Sequence, residues 1–254
     1  MIDLHCHLLP GIDDGPADDA AAIEQARVHV AAGIEKVVCT PHVSHGHRNT
    51  GEGIVAATQA FRETLAAAGV PLRIQAGAEV SLSRAIELDD DELLQLHLGA
   101  SEWLLLEPPL GTDVPRLPQM VGGIQSRGHR VLIAHPERCS AFHHDDKLLG
   151  ELVRAGAAAQ VTAASLTGQF GRTVQKVALA MVEADLVHVI ASDAHDVVRR
   201  VPGLAAPLAE AGLEGLTEWA CHAVPAAMLA GEELPPRPAG SGRPAKRRGM
   251  FRRG

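Results

Sequence analysis

The chain has 254 residues, of which 46% are hydrophobic and 2% aromatic, and its formal net charge at pH 7 is −8. This length suits one large α/β domain, and the acidic balance argues against nucleic acid as the main ligand. The four cysteines show no CxxC spacing, which indicates a reducing compartment. We find no signal peptide and no apolar run of about 18 residues, so we expect a cytoplasmic protein that does not span a membrane.

Strand-like and helix-like segments alternate along the chain, which predicts βα units and a parallel sheet. Helices are expected at 18–32, 52–68, 89–97 and 114–127. Strands are expected at 2–4, 36–40, 72–78, 103–106, 130–134, 159–162 and 187–191. We therefore predict one domain over residues 1–234. The stretch 235–254 contains seven basic and no acidic residues among many Pro and Gly, and we expect a disordered tail there.

The opening stretch MIDLHCHLLPGIDDGP places two histidines at the end of the first predicted strand. Side chains two apart in an extended chain point to the same side, so His5 and His7 can converge while Cys6 faces away. Two imidazoles held in this way form half of a metal site. Asp13 and Asp14 follow in a loop bounded by Gly and Pro, where they add oxygen donors.

Six of the seven predicted strands stop at a histidine or an acidic residue. In a parallel barrel the C-terminal strand ends gather at one mouth, and a charged group buried there is costly unless it is paired or bound to metal. A donor set of imidazoles and carboxylates without cysteine suits Mn²⁺, Fe²⁺ or Zn²⁺. Clustered metals lower the pKa of a shared water from about 15.7 towards 7. The strand ends therefore predict a multinuclear metal site at His5, His7, His42, Glu79, Glu107, His135, Asp193 and His195.

Taken together, the motifs HxH, DDG, TPH, GAE, LLLE, AHPER and SDAH resemble the PHP superfamily, named for polymerase and histidinol phosphatase. Within it, the opening stretch and VHVIASDAH resemble the metal-dependent bacterial protein-tyrosine phosphatases of capsule and exopolysaccharide clusters, the CpsB/CapC/YwqE-like group. The resemblance covers about residues 1–230 and does not include the tail. It implies an α/β fold with a distorted seven-stranded (β/α) TIM-like barrel. It also implies a phosphotyrosine-bearing partner protein, such as a bacterial tyrosine kinase.

The resemblance further implies three divalent metal ions, commonly Mn²⁺, with Fe²⁺, Co²⁺ or Zn²⁺ as alternatives. The first would be held by His5, His7, Glu79 and Asp193. Glu79 would bridge to a second ion, which Glu107 and His135 would also hold. The third would be held by Asp14, His42 and His195, with the adjacent Asp13 as an alternative to Asp14.

Two arginines match the phosphate-contacting arginines of the family. These are Arg138 in HPER and Arg200 in the loop after Asp193, with Arg199 as the alternative if that loop is shifted by one residue. The competing structural role is a salt bridge with a nearby carboxylate, such as Glu137, for Arg138, and a solvated surface charge for Arg200.

Three functions remain open from the sequence. The first is a metal-dependent phosphotyrosine-protein phosphatase. The second is a phosphatase of histidinol phosphate or another small phosphomonoester on the same barrel, and the third is a metal-binding regulatory protein without turnover. We expect the first, because a phenol leaving group with a pKa near 10 needs little acid assistance. Short loops after the strands also predict an open mouth that can admit a protein segment.

Overall fold

The computed structural model describes residues 1–111, 114–145 and 147–239, which form a parallel α/β fold. Nine strands lie in this part of the chain: β1 Ile2–Cys6, β2 Lys36–Cys39, β3 His42–Val43, β4 Arg73–Ala76, β5 Glu79–Ser81, β6 Trp103–Glu107, β7 Arg130–Ala134, β8 Ala158–Thr162 and β9 Val189–Ala191. The α-helices are α1 Asp19–Ala31, α2 Gly51–Ala67, α3 Leu82–Ala85, α4 Asp90–Leu94, α5 Leu117–Ser126, α6 Ser140–His144, α7 Leu148–Arg154, α8 Ala163–Leu166, α9 Arg172–Glu183, α10 Ala205–Glu210 and α11 Val224–Ala230. None of the described helices has the length and hydropathy needed to cross a bilayer.

The strands form two parallel sheets, ordered β1-β2-β4 and β3-β5-β6-β7-β8-β9. All seven predicted strands are present, but the second and third are each broken into two pieces that belong to different sheets. Pro41, which has no N–H to donate, separates β2 from β3. Gly77 separates β4 from β5 and packs so closely that a Cβ there would lie 2.7 Å from Val38 Cγ1. His42 and Glu79 therefore begin new strand pieces instead of following completed strands.

The C-terminal ends of β1 and β9 lie side by side. The Asp193 N–H donates to the His5 carbonyl at 2.8 Å, and the His7 N–H donates to the Ala194 carbonyl at 2.9 Å. A single bridge between Cys6 and Ala194 is the strand-like pairing at this junction. The described strands thus give two adjoining parallel sheets, and a closed barrel stays a prediction.

The beginning of the predicted tail contacts the body of the protein. Trp219 Nε1 donates to the Pro235 carbonyl at 2.9 Å, and Arg237 Nη2 donates to the Val182 carbonyl at 2.9 Å. Arg237 also pairs with Asp185, Nε to Oδ1 3.1 Å. The remainder of the tail, 240–254, lies outside the described residues, so the domain boundary at 234 stays a prediction.

Candidate metal centre

Glu79 is the point on which four histidines converge. Its side chain is buried, and its Oε2 lies 3.3 Å from His5 Nε2, 3.2 Å from His7 Nε2 and 3.1 Å from His42 Nδ1. Its Oε1 lies 2.7 Å from His135 Nε2. His42 reaches this carboxylate because β3 pairs with β5 and places His42 directly opposite Glu79.

Two left-handed backbone residues direct side chains into the same space. His135 follows β7 with φ +29°, and Asp193 follows β9 with φ +51°. Such conformations cost a residue other than glycine on the order of 1–3 kcal/mol and concentrate at functional sites. Asp193 Oδ1 consequently lies 3.3 Å from His5 Nε2 and 3.6 Å from His7 Nε2.

The remaining predicted ligands border this centre. Asp14 Oδ1 lies 3.2 Å from His195 Nε2 and 3.5 Å from His42 Nε2. Glu107 ends β6 and is the most distant member, with its oxygens 3.9 Å from His42 Nδ1 and from His135 Nε2. The structure thus brings all nine predicted metal-site residues into one continuous cluster.

Asp13 and Asp14 differ in what they contact. Asp13 Oδ2 lies 2.7 Å from His7 Nδ1 and accepts the His42 N–H at 3.1 Å, and its Oδ1 accepts the Gly15 N–H at 3.0 Å. Gly15 must be small, because a Cβ there would lie 2.9 Å from the His7 carbonyl oxygen. Asp13 is therefore engaged in orienting His7, whereas the half-exposed Asp14 faces the cluster. This geometry favours Asp14 as the ligand.

Gln160 is a site residue that the sequence did not reveal. It lies in the fully buried β8, where its Oε1 accepts a hydrogen bond from the His135 N–H at 3.2 Å and faces His5 Nδ1 at 3.0 Å. Partners of this kind set the tautomer and orientation of metal-binding imidazoles. The sequence feature that could have indicated Gln160 is its position as a polar residue inside AQVT. This is the one predicted strand that does not stop at a histidine or an acidic residue.

Arg138 and Arg200 meet on one carboxylate oxygen. Arg138 Nη1 and Arg200 Nη2 both pair with Asp193 Oδ2. Arg200 Nη1 also lies 2.8 Å from His195 Nε2. Arg199 is exposed, so the geometry favours Arg200 as the arginine at the site.

Arg138 does form a salt bridge with a nearby carboxylate, but its partner is Asp193 and not Glu137. Glu137 is buried and instead accepts hydrogen bonds from the Thr162 N–H at 3.0 Å and the Ser165 hydroxyl at 2.7 Å. The Arg138 guanidinium stacks over the Phe170 ring at 4.7 Å, a contact that the sequence did not predict. This contact with the ring keeps the Arg138 guanidinium next to the metal-site residues.

The charges of the cluster fit bound cations. Burial and the neighbouring Glu79 raise the pKa of Glu107 to about 8. Burial lowers the pKa of His7, but hydrogen bonds to Asp13 and Glu79 outweigh it and raise that pKa to about 10. Glu79 Oε2 and Asp193 Oδ1 are buried and lack a hydrogen-bond partner. Buried carboxylate oxygens together with imidazole nitrogens, without sulfur, match the preferences of Mn²⁺, Fe²⁺ or Zn²⁺.

Comparison with known proteins agrees with this geometry. Residues 1–211 match the family model described as capsular polysaccharide synthesis, CpsB/CapC. The chain is 38% identical to the tyrosine-protein phosphatase YwqE of Bacillus subtilis and 32% identical to the putative tyrosine-protein phosphatase CapC of Staphylococcus aureus, over 79% of each chain in both cases. One solved structure superposes with a TM-score of 0.81 at 32% identity, covering 97% of this chain and 100% of the other. Its description reads crystal structures of YwqE from B. subtilis and CpsB from Streptococcus pneumoniae, unique metal-dependent tyrosine phosphatases. The chain therefore belongs to the CpsB/CapC family.

Proposed function

We propose that this protein is a metal-dependent phosphatase that hydrolyses phosphotyrosine in proteins. The observation that carries the proposal is the convergence of nine imidazole and carboxylate side chains with two arginines that share Asp193. The relatives named as tyrosine-protein phosphatases support the choice of phosphotyrosine. A bacterial tyrosine kinase of capsule or exopolysaccharide regulation, in the cytoplasm, is the proposed substrate protein.

We propose that the centre binds three divalent metal ions, with Mn²⁺ as the preferred metal. The ligands would be His5, His7, Glu79 and Asp193 for one ion, Glu79, Glu107 and His135 for another, and Asp14, His42 and His195 for the third. When bound, such ions activate a water molecule and offset charge on the phosphoryl group. The position of Glu79 among four imidazoles supports its assignment as the bridging ligand.

The protein side chains have separate tasks in this proposal. Arg138 and Arg200 bind the phosphoryl oxygens, which compete with Asp193 for the two guanidinium groups. Asp13 and Gln160 keep the imidazoles of His7 and His5 in position. A tyrosine leaving group has a pKa near 10 and departs with little acid assistance.

The surface beside the centre supports a protein substrate. An apolar cavity of about 510 Å³ opens next to Asp14 and His195, bordered by Val197 and Val198. Val197 and Val198, at its edge, are 37% and 81% exposed. A peptide segment on either side of the phosphotyrosine can bury this surface, whereas histidinol phosphate is too small to extend along it.

A closed, distorted (β/α)₇ barrel over residues 1–234 is part of the same proposal. If β2 and β3 are counted as one unit, and β4 and β5 as another, the nine strands give seven units. The hydrogen bonds between the ends of β1 and β9 support the closure of these units into a ring. The mouth of this barrel would carry the metal centre.

The test is a kcat/KM series on phosphotyrosine peptides, phosphoserine peptides and histidinol phosphate at matched Mn²⁺ and pH. We expect the phosphotyrosine peptides to be the best substrates. Exhaustive chelation should abolish turnover and Mn²⁺ should restore it, while thiol alkylation should have little effect because no cysteine belongs to the cluster.

Far more efficient hydrolysis of histidinol phosphate would replace this proposal with that of a small-phosphomonoester phosphatase. Full activity in protein shown by elemental analysis to contain no metal would refute metal dependence. A metal-replete protein without activity on any phosphomonoester would instead indicate a regulatory metal-binding protein.

A further inference from the structure

A second group of ligand-type side chains lies between β1 and α1. Asp3 and Cys6 belong to β1, His29 belongs to α1, and all three side chains are 0% exposed. His29 Nε2 lies 3.3 Å from Cys6 Sγ and 3.6 Å from Asp3 Oδ2, and the three donor atoms lie within 4.8 Å of one another. None of these residues belongs to the nine-residue cluster.

Local structure brings these donors together. Residues three apart in a regular strand point to opposite faces, but the pairing of β1 with β2 is irregular between Asp3 and Cys6. His29 enters from the last turn of α1, and its Nδ1 lies 2.9 Å from the Gln25 carbonyl oxygen. Because a carbonyl oxygen only accepts, Nδ1 is the donor in this contact, and Nε2 is the nitrogen that faces Cys6 and Asp3.

One oxygen of Asp3, Oδ2, is buried and lacks a hydrogen-bond partner. The other oxygen accepts the His5 N–H at 3.3 Å and the Ser192 N–H at 3.0 Å. Gln25, one turn before His29 on α1, turns its Nε2 towards Cys6 Sγ at 3.5 Å and donates from that nitrogen to the His7 carbonyl at 3.0 Å. Buried polar atoms almost always have a partner, so Asp3 Oδ2 indicates a cation that it can bind.

The donors match a zinc ion in type and spacing. Zinc takes thiolate, imidazole and carboxylate ligands, and tetrahedral geometry with its usual bond lengths separates sulfur from nitrogen by about 3.5 Å and nitrogen from oxygen by about 3.3 Å. The distances from His29 Nε2 are 3.3 Å to the sulfur of Cys6 and 3.6 Å to the oxygen of Asp3.

We propose that Asp3, Cys6 and His29 bind a structural zinc ion. The ion joins β1 to α1. It also secures Asp3, which accepts the backbone N–H of His5, so it stabilises the strand that carries His5 and His7. This inference is independent of the proposed phosphatase function.

Cobalt substitution tests the site without relying on activity. A thiolate bound to Co²⁺ gives a strong charge-transfer absorption in the near ultraviolet, which cobalt held only by nitrogen and oxygen does not give. The nine-residue cluster contains no sulfur, so its own cobalt ions do not produce this band. We expect the full chain, produced in cobalt medium, to show the band. Its absence from cobalt-replete wild-type protein would refute the proposal.

Substitution of each cysteine assigns the band. Cys6→Ser should lose the band completely and should contain one zinc fewer per chain by elemental analysis, and His29→Gln should do the same. Cys39→Ser is the matched control, because Cys39 is also a buried free thiol in a neighbouring strand. If Cys6→Ser does not fold, retention of the band in Cys39→Ser, Cys139→Ser and Cys221→Ser assigns it to Cys6. Retention of the band and of zinc in Cys6→Ser would show that these side chains form a metal-free hydrogen-bonded group.

Discussion

Strand β7 has a histidine at each end, and the two histidines lie in opposite environments. His135 follows the strand and faces the buried Glu79 at 2.7 Å. His129 precedes it, roughly 20 Å away along the strand, and its Nδ1 lies 2.9 Å from His97 Nε2. His97 Nδ1 in turn faces the Ser101 carbonyl at 2.9 Å.

The difference lies in the partners rather than in the burial. Both histidine groups are buried, yet at the C-terminal strand ends two buried carboxylate oxygens, Glu79 Oε2 and Asp193 Oδ1, lack a hydrogen-bond partner. At the N-terminal end His97 and His129 bond to each other and to a carbonyl, and Asp90, the acid near His129, is 57% exposed. A buried histidine therefore indicates a metal ligand only where it faces a buried carboxylate with an oxygen that lacks a hydrogen-bond partner.

Substitutions at the two ends should give the largest contrast. Glu79→Gln removes the charge that four imidazoles share, so we expect it to lose bound metal and nearly all turnover. His97→Gln, at the other end, should keep both. Elemental analysis and phosphotyrosine-peptide hydrolysis measure the two properties. Equal metal loss in the two variants would mean that the contrast between the ends is wrong.

Substitutions of the two arginines nearest the ends of β7 should give the next largest difference in kinetics. Arg130 begins the strand, and Arg138 follows its last residue by four positions. Arg138→Ala should retain metal but lose about 2–4 kcal/mol of transition-state stabilisation, a decrease of roughly 30- to 900-fold in kcat/KM. Arg130→Ala, which removes a guanidinium that stacks over Trp103 at 4.2 Å, is the matched control and should keep wild-type kinetics. Wild-type kinetics in Arg138→Ala would show that its pairing with Asp193 is only structural.

A smaller effect is expected inside β8. Gln160→Leu leaves the His5 ring and the His135 N–H without their acceptor, so metal affinity should fall by about 10–100-fold. Thr162→Val, two residues along the strand, removes a buried hydroxyl that has no partner and should leave affinity unchanged. Metal titration of the two variants measures this, and equal affinities would remove Gln160 from the site.

The smallest effect concerns pH and the N-terminal pair. Burial lowers the pKa of His97 below its ordinary value near 6.5. As pH falls through 6.5 the unfolded chain therefore binds a proton that the folded protein excludes, and stability decreases. In His97→Gln the urea midpoint should fall less than that of the wild type between pH 7 and about pH 5. Parallel profiles would show that His97 is not protonated on unfolding.

The positions of the strands and the gathering of the strand-end residues could be predicted from the sequence. Parallel βα units bring the C-terminal ends of strands to one edge, so His135 and Asp193 had to approach each other whatever the details. The two-residue period of a strand likewise predicted that His5 and His7 converge, and their Nε2 atoms lie 3.4 Å apart. The expected helix over 89–97 was too long, because α4 ends at Leu94.

The sequence alone thus determined which residues gather, because the alternation of strands with helices and the side-chain period are local properties of the chain. Only the tertiary structure decided how each of these side chains is oriented and what it contacts. The breaks before His42 and Glu79, the left-handed backbone at His135 and Asp193, and the choice of Asp13 to orient His7 all depend on contacts between distant segments. The meeting of Asp3 and Cys6 at His29 depends on an irregular strand pairing that no local pattern encodes.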